Sequence, residues 1–253
     1  MTFCLGIKVR EGLVGLSDTL ISAGSESIRA RKVATYEQNG QTFFLLTSGL
    51  RSVRDKALIY FEELLEAQSQ TQPFDKLYKA MNALATCVRR VESEDQAALR
   101  SAGMFIDLHC LVGGQLSQDS EHKLFLMYPQ GNWVEIGPGT PYQIVGVGGY
   151  GKPILDRTLR FEDPMSHALK VACLAFDSTR ISASDVGFPI DVVLYRKDTF
   201  HVVQHTLAHD QVQPLSDWWA DSLRKSMQAL SALPLDTLMR EVPLPKAGVS
   251  AGR

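Results

Sequence analysis

Hydrophobic residues in the first third of the chain change from strand-like to helical spacing. Two short apolar runs flank the turn Arg10-Glu11-Gly12 and predict a β-hairpin. A second hairpin is predicted over RKVATYEQNGQTFFLLTSG, because Asn39-Gly40 in its middle favours a type I′ turn. Apolar residues then recur at helical spacing from about Ser52 to Gln68, and a second helix is predicted from about Phe74 to Ser93.

The rest of the chain repeats this order of strands and helices. Four strand-like runs precede two helical runs, and a strand pair and a last helix follow: MFIDLHCLVGGQL, KLFLMYP, NWVEIG and YQIVGVGG; PILDRTL and MSHALKVACLAFDSTRIS; IDVVLYRKD and FHVVQHTLAHD; LSDWWADSLRKSMQAL. Helical blocks separated by antiparallel hairpins favour an α+β fold in which helices cover stacked sheets. Because no linker or repeat interrupts the pattern, we expect residues 1–253 to form a single domain, with a mobile tail from about residue 243.

The charge pattern argues against nucleic acid as a partner. The net charge is -2, and the 26 Lys and Arg residues are spread along the chain instead of forming a basic stripe. No apolar run approaches the roughly 20 residues that cross a bilayer. The start, MTFCLGIKVREG, lacks the pattern of a signal peptide. We therefore expect a cytoplasmic protein that has no membrane partner.

Neither the cysteines nor the histidines predict a metal site. The 4 cysteines are widely spaced and include no C-x-x-C pair, which favours neither zinc nor a disulfide framework. His201, His205 and His209 recur at every fourth position. We expect a strand here, and a strand separates such residues by roughly 13 Å, too far for one metal. No metal or cofactor is therefore expected.

The stretch GVGGYGKP, residues 146–153, resembles a phosphate-binding loop. It satisfies both G-x-x-x-x-G-K and G-x-G-x-x-G. A P-loop, however, needs Ser or Thr after its lysine to bind magnesium, and Pro153 stands there. The dinucleotide motif needs a parallel strand–helix–strand unit, which the order of elements does not offer. We interpret the stretch as the end of a strand, a glycine turn and a helix that starts near Pro153.

The first residues of the chain carry a set with chemistry of its own. Removal of Met1 gives Thr2 a free α-amine beside its own hydroxyl. Such an amine titrates near about pH 7.7–8.0 and can accept the hydroxyl proton, so one residue supplies both nucleophile and general base. Lys32 would favour the neutral amine, Asp18 would hold Lys32, and Gly49 would direct an N–H at the oxyanion. Each residue alone also fits an ordinary strand or turn position; their order gives the set its weight.

These residues lie in segments that resemble proteasome β-type subunits, and more closely the bacterial homologues called Anbu and the betaproteobacterial proteasome homologue. The matching segments run nearly end to end: MTFCLGIKVREGLVGLSDTLISAG, RKV, TSGLRSVRD, MYPQGNWVEIG, YGKPILDR and GFPIDVVLY. The resemblance implies a four-layer αββα sandwich of two antiparallel sheets, the fold of N-terminal-nucleophile hydrolases. It also implies threonine-type peptide hydrolysis and assembly into rings that enclose a chamber.

The resemblance further implies a role for individual residues. The implied set is Thr2 as nucleophile, Asp18 and Lys32 as the supporting charge pair, Gly49 as oxyanion donor, Ser184 as the serine of a later aspartate–serine pair, and Ile21 and Thr47 as the lining of the pocket for the residue before the cut.

Three departures from the family pattern concern proton handling. The loop before Lys32 is shorter than in typical members, so Arg31 is an alternative to Lys32. Val147 stands where proteasome subunits have a serine that helps to hold the terminal amine. Ile181 stands at the position of the family's later aspartate, with Asp185 displaced from it. These departures predict slow, narrow or absent proteolysis.

Three functions are consistent with the sequence. The leading hypothesis is a cytoplasmic threonine endopeptidase subunit that acts on peptides or unfolded proteins and assembles into a homotetradecameric double ring, with an open spiral as the alternative. The second is a chamber-forming scaffold that binds peptides with little turnover, suggested by Val147, Ile181 and the presence of Met1. The third is an amidase acting on small amides, which needs no ring. The sequence identifies no unfolding ATPase as a partner.

Overall fold

A computed structural model of the chain describes residues 2–23, 26–38, 41–69, 73–230 and 238–243. The strands are β1 (Phe3–Val9), β2 (Gly12–Asp18), β3 (Leu20–Ala23), β4 (Glu26–Arg29), β5 (Val33–Gln38), β6 (Gln41–Ser48), β7 (His109–Leu116), β8 (Lys123–Met127), β9 (Trp133–Glu135), β10 (Tyr142–Gly146), β11 (Ile190–Arg196) and β12 (Val202–Leu207). The helices are α1 (Arg51–Ser69), α2 (Leu77–Ser101), α3 (Lys152–Thr158), α4 (Met165–Ser182) and α5 (His209–Ala229).

Two antiparallel sheets of 5 strands each form the centre of the fold. The first has the order β10-β1-β2-β11-β12, and the second has the order β5-β6-β7-β8-β9. A short hairpin of β3 and β4 lies outside both sheets. In the first sheet Phe3 pairs with Gly146, and Asp18 pairs with Ile190. This register places the start of β1, the end of β2 and the end of β10 side by side at one end of the strands.

The two sheets pack face to face, and helices cover their outer faces. Gly15 of β2 makes room for the other sheet, because a Cβ there would lie 3.0 Å from the ring of Phe44. On the outer face of the first sheet, Phe176 of α4 meets Phe3 edge-on, with ring centroids 6.0 Å apart. On the outer face of the second sheet, α1 and α2 contribute these buried residues to one apolar cluster: Val53, Ala57, Phe61, Met81, Leu84 and Val88. The predicted four-layer αββα sandwich is confirmed.

The chain divides into two compact units, Met1–Val212 and Gln213–Arg253. The first unit contains both sheets and α1 to α4, and the second contains most of α5. The single domain expected from the sequence stays a prediction. Of the expected mobile tail, residues 244–253 lie outside the described residues.

Element boundaries depart from the sequence prediction in several places. His209 and Asp210 were expected in the last strand, but they begin α5, at whose start the side chain of Gln211 accepts the N–H of Ala208. Helix α2 continues to Ser101 instead of ending near Ser93, because Val91 within the charged run RRVESED is buried, Glu94 of the same run binds Lys56 of α1, and helix-forming residues follow. The hairpin of β3 and β4 has no clear sequence signal, since the polar residues around it read as a loop. Both hairpin strands of the second sheet are confirmed, but their predicted turn, Asn39-Gly40, lies outside the described residues.

Cysteines and histidines occupy ordinary structural positions. All four cysteines are buried free thiols: Cys4, Cys87, Cys110 and Cys173. His205 lies in β12, whereas His201 precedes that strand and His209 begins α5, so the three do not share one element. Within the described ranges no cluster of His, Cys, Asp and Glu has the geometry of a metal site. None of the helices within those same ranges is both long and apolar enough to cross a membrane.

Candidate active site at the start of the chain

The glycine-rich stretch holds the start of the chain in place. Thr2 lies just before β1, and its carbonyl oxygen accepts a hydrogen bond of 2.7 Å from the backbone N–H of Val147. Gly146 ends β10 with φ 89°, and a Cβ there would lie 1.9 Å from the carbonyl oxygen of Thr2. Glycine is therefore required by the close approach of two backbone segments. Helix α3 follows with Pro153 in its first turn, as the sequence predicted.

A buried ion pair lies directly beside Thr2. Asp18, at the end of β2, accepts on Oδ1 a hydrogen bond of 2.6 Å from Nζ of Lys32 and one of 2.9 Å from the N–H of Phe3. Lys32 also donates to the carbonyl oxygen of Leu20 at 2.7 Å. The side chain of Asp18 is 0% exposed and that of Lys32 is 2% exposed. Because Phe3 follows Thr2 in the chain, this pair is anchored to the backbone of the predicted nucleophile.

The electrostatics of Asp18 are set by two opposing effects. Burial raises the pKa of its carboxyl group, while the ammonium of Lys32 and the N–H of Phe3 lower it. Oδ1 accepts the bonds from Lys32 and Phe3, and within the described part of the chain the buried Oδ2 has no hydrogen-bond partner. The pair thus keeps a lysine ammonium inside the protein at the edge where Thr2 begins.

Lys32, and not its neighbour Arg31, is the basic residue that pairs with Asp18. The Arg31 side chain is exposed, and its carbonyl oxygen accepts a bond of 3.3 Å from Nη1 of Arg54. Lys32, in contrast, is buried against Asp18.

Gly49 lies at the turn between β6 and α1. Its φ is 133°, and a Cβ there would approach the carbonyl oxygen of Asp107 at 2.8 Å. The next N–H, of Leu50, donates to Oδ1 of Asp107 at 2.9 Å. The turn is therefore tied to the segment before β7, and only glycine fits it without strain.

Thr47 connects the predicted substrate pocket to the buried lysine. Its N–H and hydroxyl both donate to the carbonyl oxygen of Lys32, at 3.0 Å and 3.2 Å. Its own carbonyl oxygen accepts the Sγ–H of Cys4 at 3.5 Å. Burial raises the pKa of the Cys4 thiol far above its usual range, so this cysteine acts as a neutral neighbour of the site.

One cleft of about 690 Å³ opens beside the chain start. The predicted site residues that line it are Thr2, Ile21, Lys32, Thr47 and Gly49. Asp18 lies beneath Lys32. Ser184 does not line the cleft; it is exposed in the turn between α4 and β11. Ile181, at the position of the family's aspartate, is 70% exposed near the end of α4.

The cleft also contains residues that the sequence reading did not single out. Arg54 lines it from the first turn of α1, and Met104 and Phe105 line it from the segment after α2. No local motif marks Arg54, because an arginine on a helix is usually a solvated residue. The helical period does place it one turn after Leu50, at the N-terminal end of α1, and that position was the available signal.

Comparison with known proteins gives a consistent result. Neither the family models nor the curated proteins compared with the chain gave a match. Among solved structures, an Anbu (Gly-1) mutant from Hyphomicrobium sp. strain MC1 is 30% identical, covers 90% of this chain and 98% of its own, and superposes with a TM-score of 0.82.

Two further structures agree with this match. Anbu, described as an ancestral beta-subunit, from Yersinia bercovieri is 28% identical with a TM-score of 0.82, over 92% of this chain and 99% of its own. The structure entitled "Helical Assembly of the Anbu Complex from Pseudomonas aeruginosa" is 28% identical with a TM-score of 0.83, over 92% of this chain and 98% of its own.

The layered sandwich, with a threonine at its edge over a buried lysine–aspartate pair, defines a fold of the proteasome β-subunit type. Within that class the chain belongs to the Anbu family of bacterial proteasome homologues.

Proposed function

We propose that the protein is an N-terminal threonine peptidase subunit of a self-compartmentalising assembly. The observation that carries the proposal is the position of Thr2, which lines the cleft and is followed by a backbone N–H bound to the buried Asp18–Lys32 pair. The hydroxyl and amine of one residue, beside a desolvated ammonium, are the groups that a threonine nucleophile needs.

The chemistry follows from these groups. After removal of Met1, the Thr2 amine takes the hydroxyl proton while Oγ1 attacks the substrate carbonyl carbon. The resulting oxyanion is stabilised by the N–H of Gly49, which lines the same cleft. The C–N bond then breaks, the departing amine takes the proton, and water hydrolyses the ester to free Thr2. The fixed charge of Lys32 favours the neutral amine throughout.

Two departures from the family pattern bear on the rate. Val147 lacks the hydroxyl that helps to hold the terminal amine in proteasome subunits, although its N–H still fixes the carbonyl of Thr2. Ser184 is exposed and does not line the cleft. From these two departures we expect low turnover with intact covalent reactivity.

Self-association of this chain is the second part of the proposal. The Anbu complex from Pseudomonas aeruginosa is described as a helical assembly. That relative favours the open spiral over the closed double ring that we expected from the sequence. A cytoplasmic location and unfolded or peptide substrates complete the proposal.

The first alternative is a peptide-binding scaffold, which the exposed Ile181 at the position of the family's aspartate favours. Met1 itself lies outside the described residues. Uniform retention of Met1 in protein purified from its native host would support this alternative. The second alternative, an amidase for small amides, predicts a particle that stays monomeric in light scattering, whereas the peptidase proposal predicts a large assembly.

A covalent labelling experiment tests the proposal. Assembled protein is treated with a peptide vinyl sulfone, and its intact mass is measured. We expect a single adduct on protein that has lost Met1, and none on the Thr2→Ala variant. The Thr158→Ala variant, which removes an exposed hydroxyl on α3, serves as the matched control and is expected to label like the parent. Equal labelling of the parent and the Thr2→Ala variant would rule the proposal out.

A further inference from the structure

The floor of the cleft contains an arginine that the proposed chemistry does not use. Lys32, Thr47 and Arg54 line both the cleft and a second cavity of about 100 Å³ behind it. These residues therefore separate the two cavities. Asp18 already compensates the charge of Lys32. The remaining cationic group of this floor is the guanidinium of Arg54.

Arg54 shares its counterion with a second arginine. Its Nε and Nη2 donate to Oδ1 of Asp55 at 2.8 Å and 2.6 Å. Arg51, which also lines the cleft, donates from Nε to Oδ2 of the same carboxylate at 3.2 Å. Two guanidinium groups thus share one carboxylate, while Asp107, a carboxylate that lines the cleft itself, accepts the N–H of Leu50.

The positions of these charges differ in their contact with water. The side chain of Arg54 is 10% exposed, whereas that of Asp55 is 46% exposed. Water therefore screens the carboxylate more than it screens the guanidinium, and a charge near the buried group interacts more strongly. Of the described residues that line the cleft, one is acidic: Asp107, which is exposed and accepts the N–H of Leu50.

The walls above this floor are apolar. Ile21 and Ile28 line the cleft from the β3–β4 hairpin, and Met104 and Phe105 line it from the segment after α2. Phe105 is 73% exposed at the rim. A side chain that enters the cleft therefore meets hydrocarbon first and a cationic floor beneath.

We infer that this pocket selects substrates with glutamate before the scissile bond, because that side chain has an apolar stem and an anionic tip. The inference rests on the proposed peptidase function and names its substrate class. A carboxylate tip binds the donors of the arginine pair through charge-assisted hydrogen bonds. A lysine or arginine tip meets like charge, and a purely apolar side chain displaces water from the polar floor without offering the arginines a further acceptor. Aspartate has the same charge but a shorter stem.

The test compares peptide vinyl sulfones that differ only in the residue before the electrophile: glutamate, glutamine, leucine or arginine. Glutamine is the neutral match of glutamate in shape. The rate constant for labelling Thr2 is expected to be at least about tenfold higher for glutamate than for glutamine or arginine. The ratio of the glutamate to the glutamine rate constant is expected to fall toward one in Arg54→Gln. It is expected to fall partly in Arg51→Gln, which changes an exposed residue. Arg10→Gln, an exposed arginine on the turn after β1, is the control with the same loss of charge and is expected to keep the parental ratio.

The outcomes separate this inference from the proposed function. Labelling of Thr2 at equal rates by all four probes would overturn the glutamate preference and leave the peptidase proposal standing. If no probe labels Thr2, fluorescent peptides with glutamate or glutamine at the same position are titrated into the Thr2→Ala assembly. Tighter binding of the glutamate peptide would then support the pocket and refute the peptidase. Equal affinity, or none, would refute both.

Discussion

At the residue scale, Asp18 is the residue on which the candidate site depends. One of its oxygens receives both the ammonium of Lys32 and the N–H of Phe3. The carboxylate therefore has two tasks, because it compensates a buried charge and fixes the backbone next to Thr2. Removal of one partner from such a pair leaves the other charge buried without compensation.

The variant Asp18→Asn is expected to lose about 3–5 kcal/mol in the free energy of unfolding, since the Lys32 ammonium stays buried. Urea denaturation followed by circular dichroism measures this loss. The double variant Asp18→Asn/Lys32→Met is expected to recover much of the stability and none of the labelling of Thr2. A double variant that labels as fast as the parent would contradict the role given to the pair.

Gly146 gives a second prediction at this scale. In Gly146→Ala the new Cβ overlaps the carbonyl of Thr2, and the positive φ costs about 1–3 kcal/mol besides. We expect the chain start to move and the rate of Thr2 labelling to fall at least about tenfold. Gly139→Ala is the matched control, because a Cβ there meets nothing within 4 Å. Similar labelling rates for both variants would show that the β10 turn does not hold Thr2.

At the scale of elements, α1 and α2 are joined by a network centred on Glu94. The carboxylate of Glu94 accepts bonds from Lys56 at 2.7 Å, from the hydroxyl of Tyr60 at 2.8 Å and from Arg90 at 3.0 Å. The guanidinium of Arg90 also stacks 3.9 Å from the centre of the Tyr60 ring. Since α1 begins next to Gly49, this network helps to hold the helix that borders the cleft.

The network predicts a dependence of stability on pH. Its hydrogen bonds, first that from Lys56, lower the pKa of Glu94 to about 2 from a usual value of 4.5. The contribution of a depressed carboxyl is complete above the usual pKa and is lost as the pH falls toward the folded value. Urea titrations of the parent and Glu94→Gln are therefore expected to differ most above about pH 5 and to converge between about pH 4.5 and pH 2. Glu162→Gln, which touches one exposed arginine, is the control. A difference that is constant with pH would contradict the network.

At the scale of the whole molecule, the fold could be predicted further than the site. Short apolar runs predicted the strands of the stacked sheets, and β1 and β2 are indeed buried along their whole length. Helical spacing of apolar residues predicted the covering helices. The ends of elements were less predictable: the charged run of α2 reads as a stop, but its Val91 is buried and its Glu94 binds Lys56 of α1, and the helix continues to Ser101.

The candidate site was harder to predict, because its residues are far apart in sequence and meet only in the folded chain. Thr2, Asp18 and Lys32 were recognised from their order along the chain, yet sequence spacing alone left Arg31 as a substitute for Lys32. The structure distinguishes the two residues, because the side chain of Lys32 is buried against Asp18 whereas that of Arg31 is exposed. Side-chain burial of this kind depends on tertiary packing and cannot be read from spacing. Arg54 was missed because its position matters only beside Lys32, which is remote in sequence and lines the same cavity.

The central claim is that Thr2 acts with both its hydroxyl and its own free amine. A peptide epoxyketone tests it most directly, because this electrophile closes a ring only with a hydroxyl and an amine on the same residue. Peptide mapping of the treated assembly by mass spectrometry is expected to find a cyclic adduct that spans Oγ1 and the α-nitrogen of Thr2, and none in Thr2→Ala. An unmodified Thr2 in protein that has lost Met1, or an adduct elsewhere in the chain, would contradict the account.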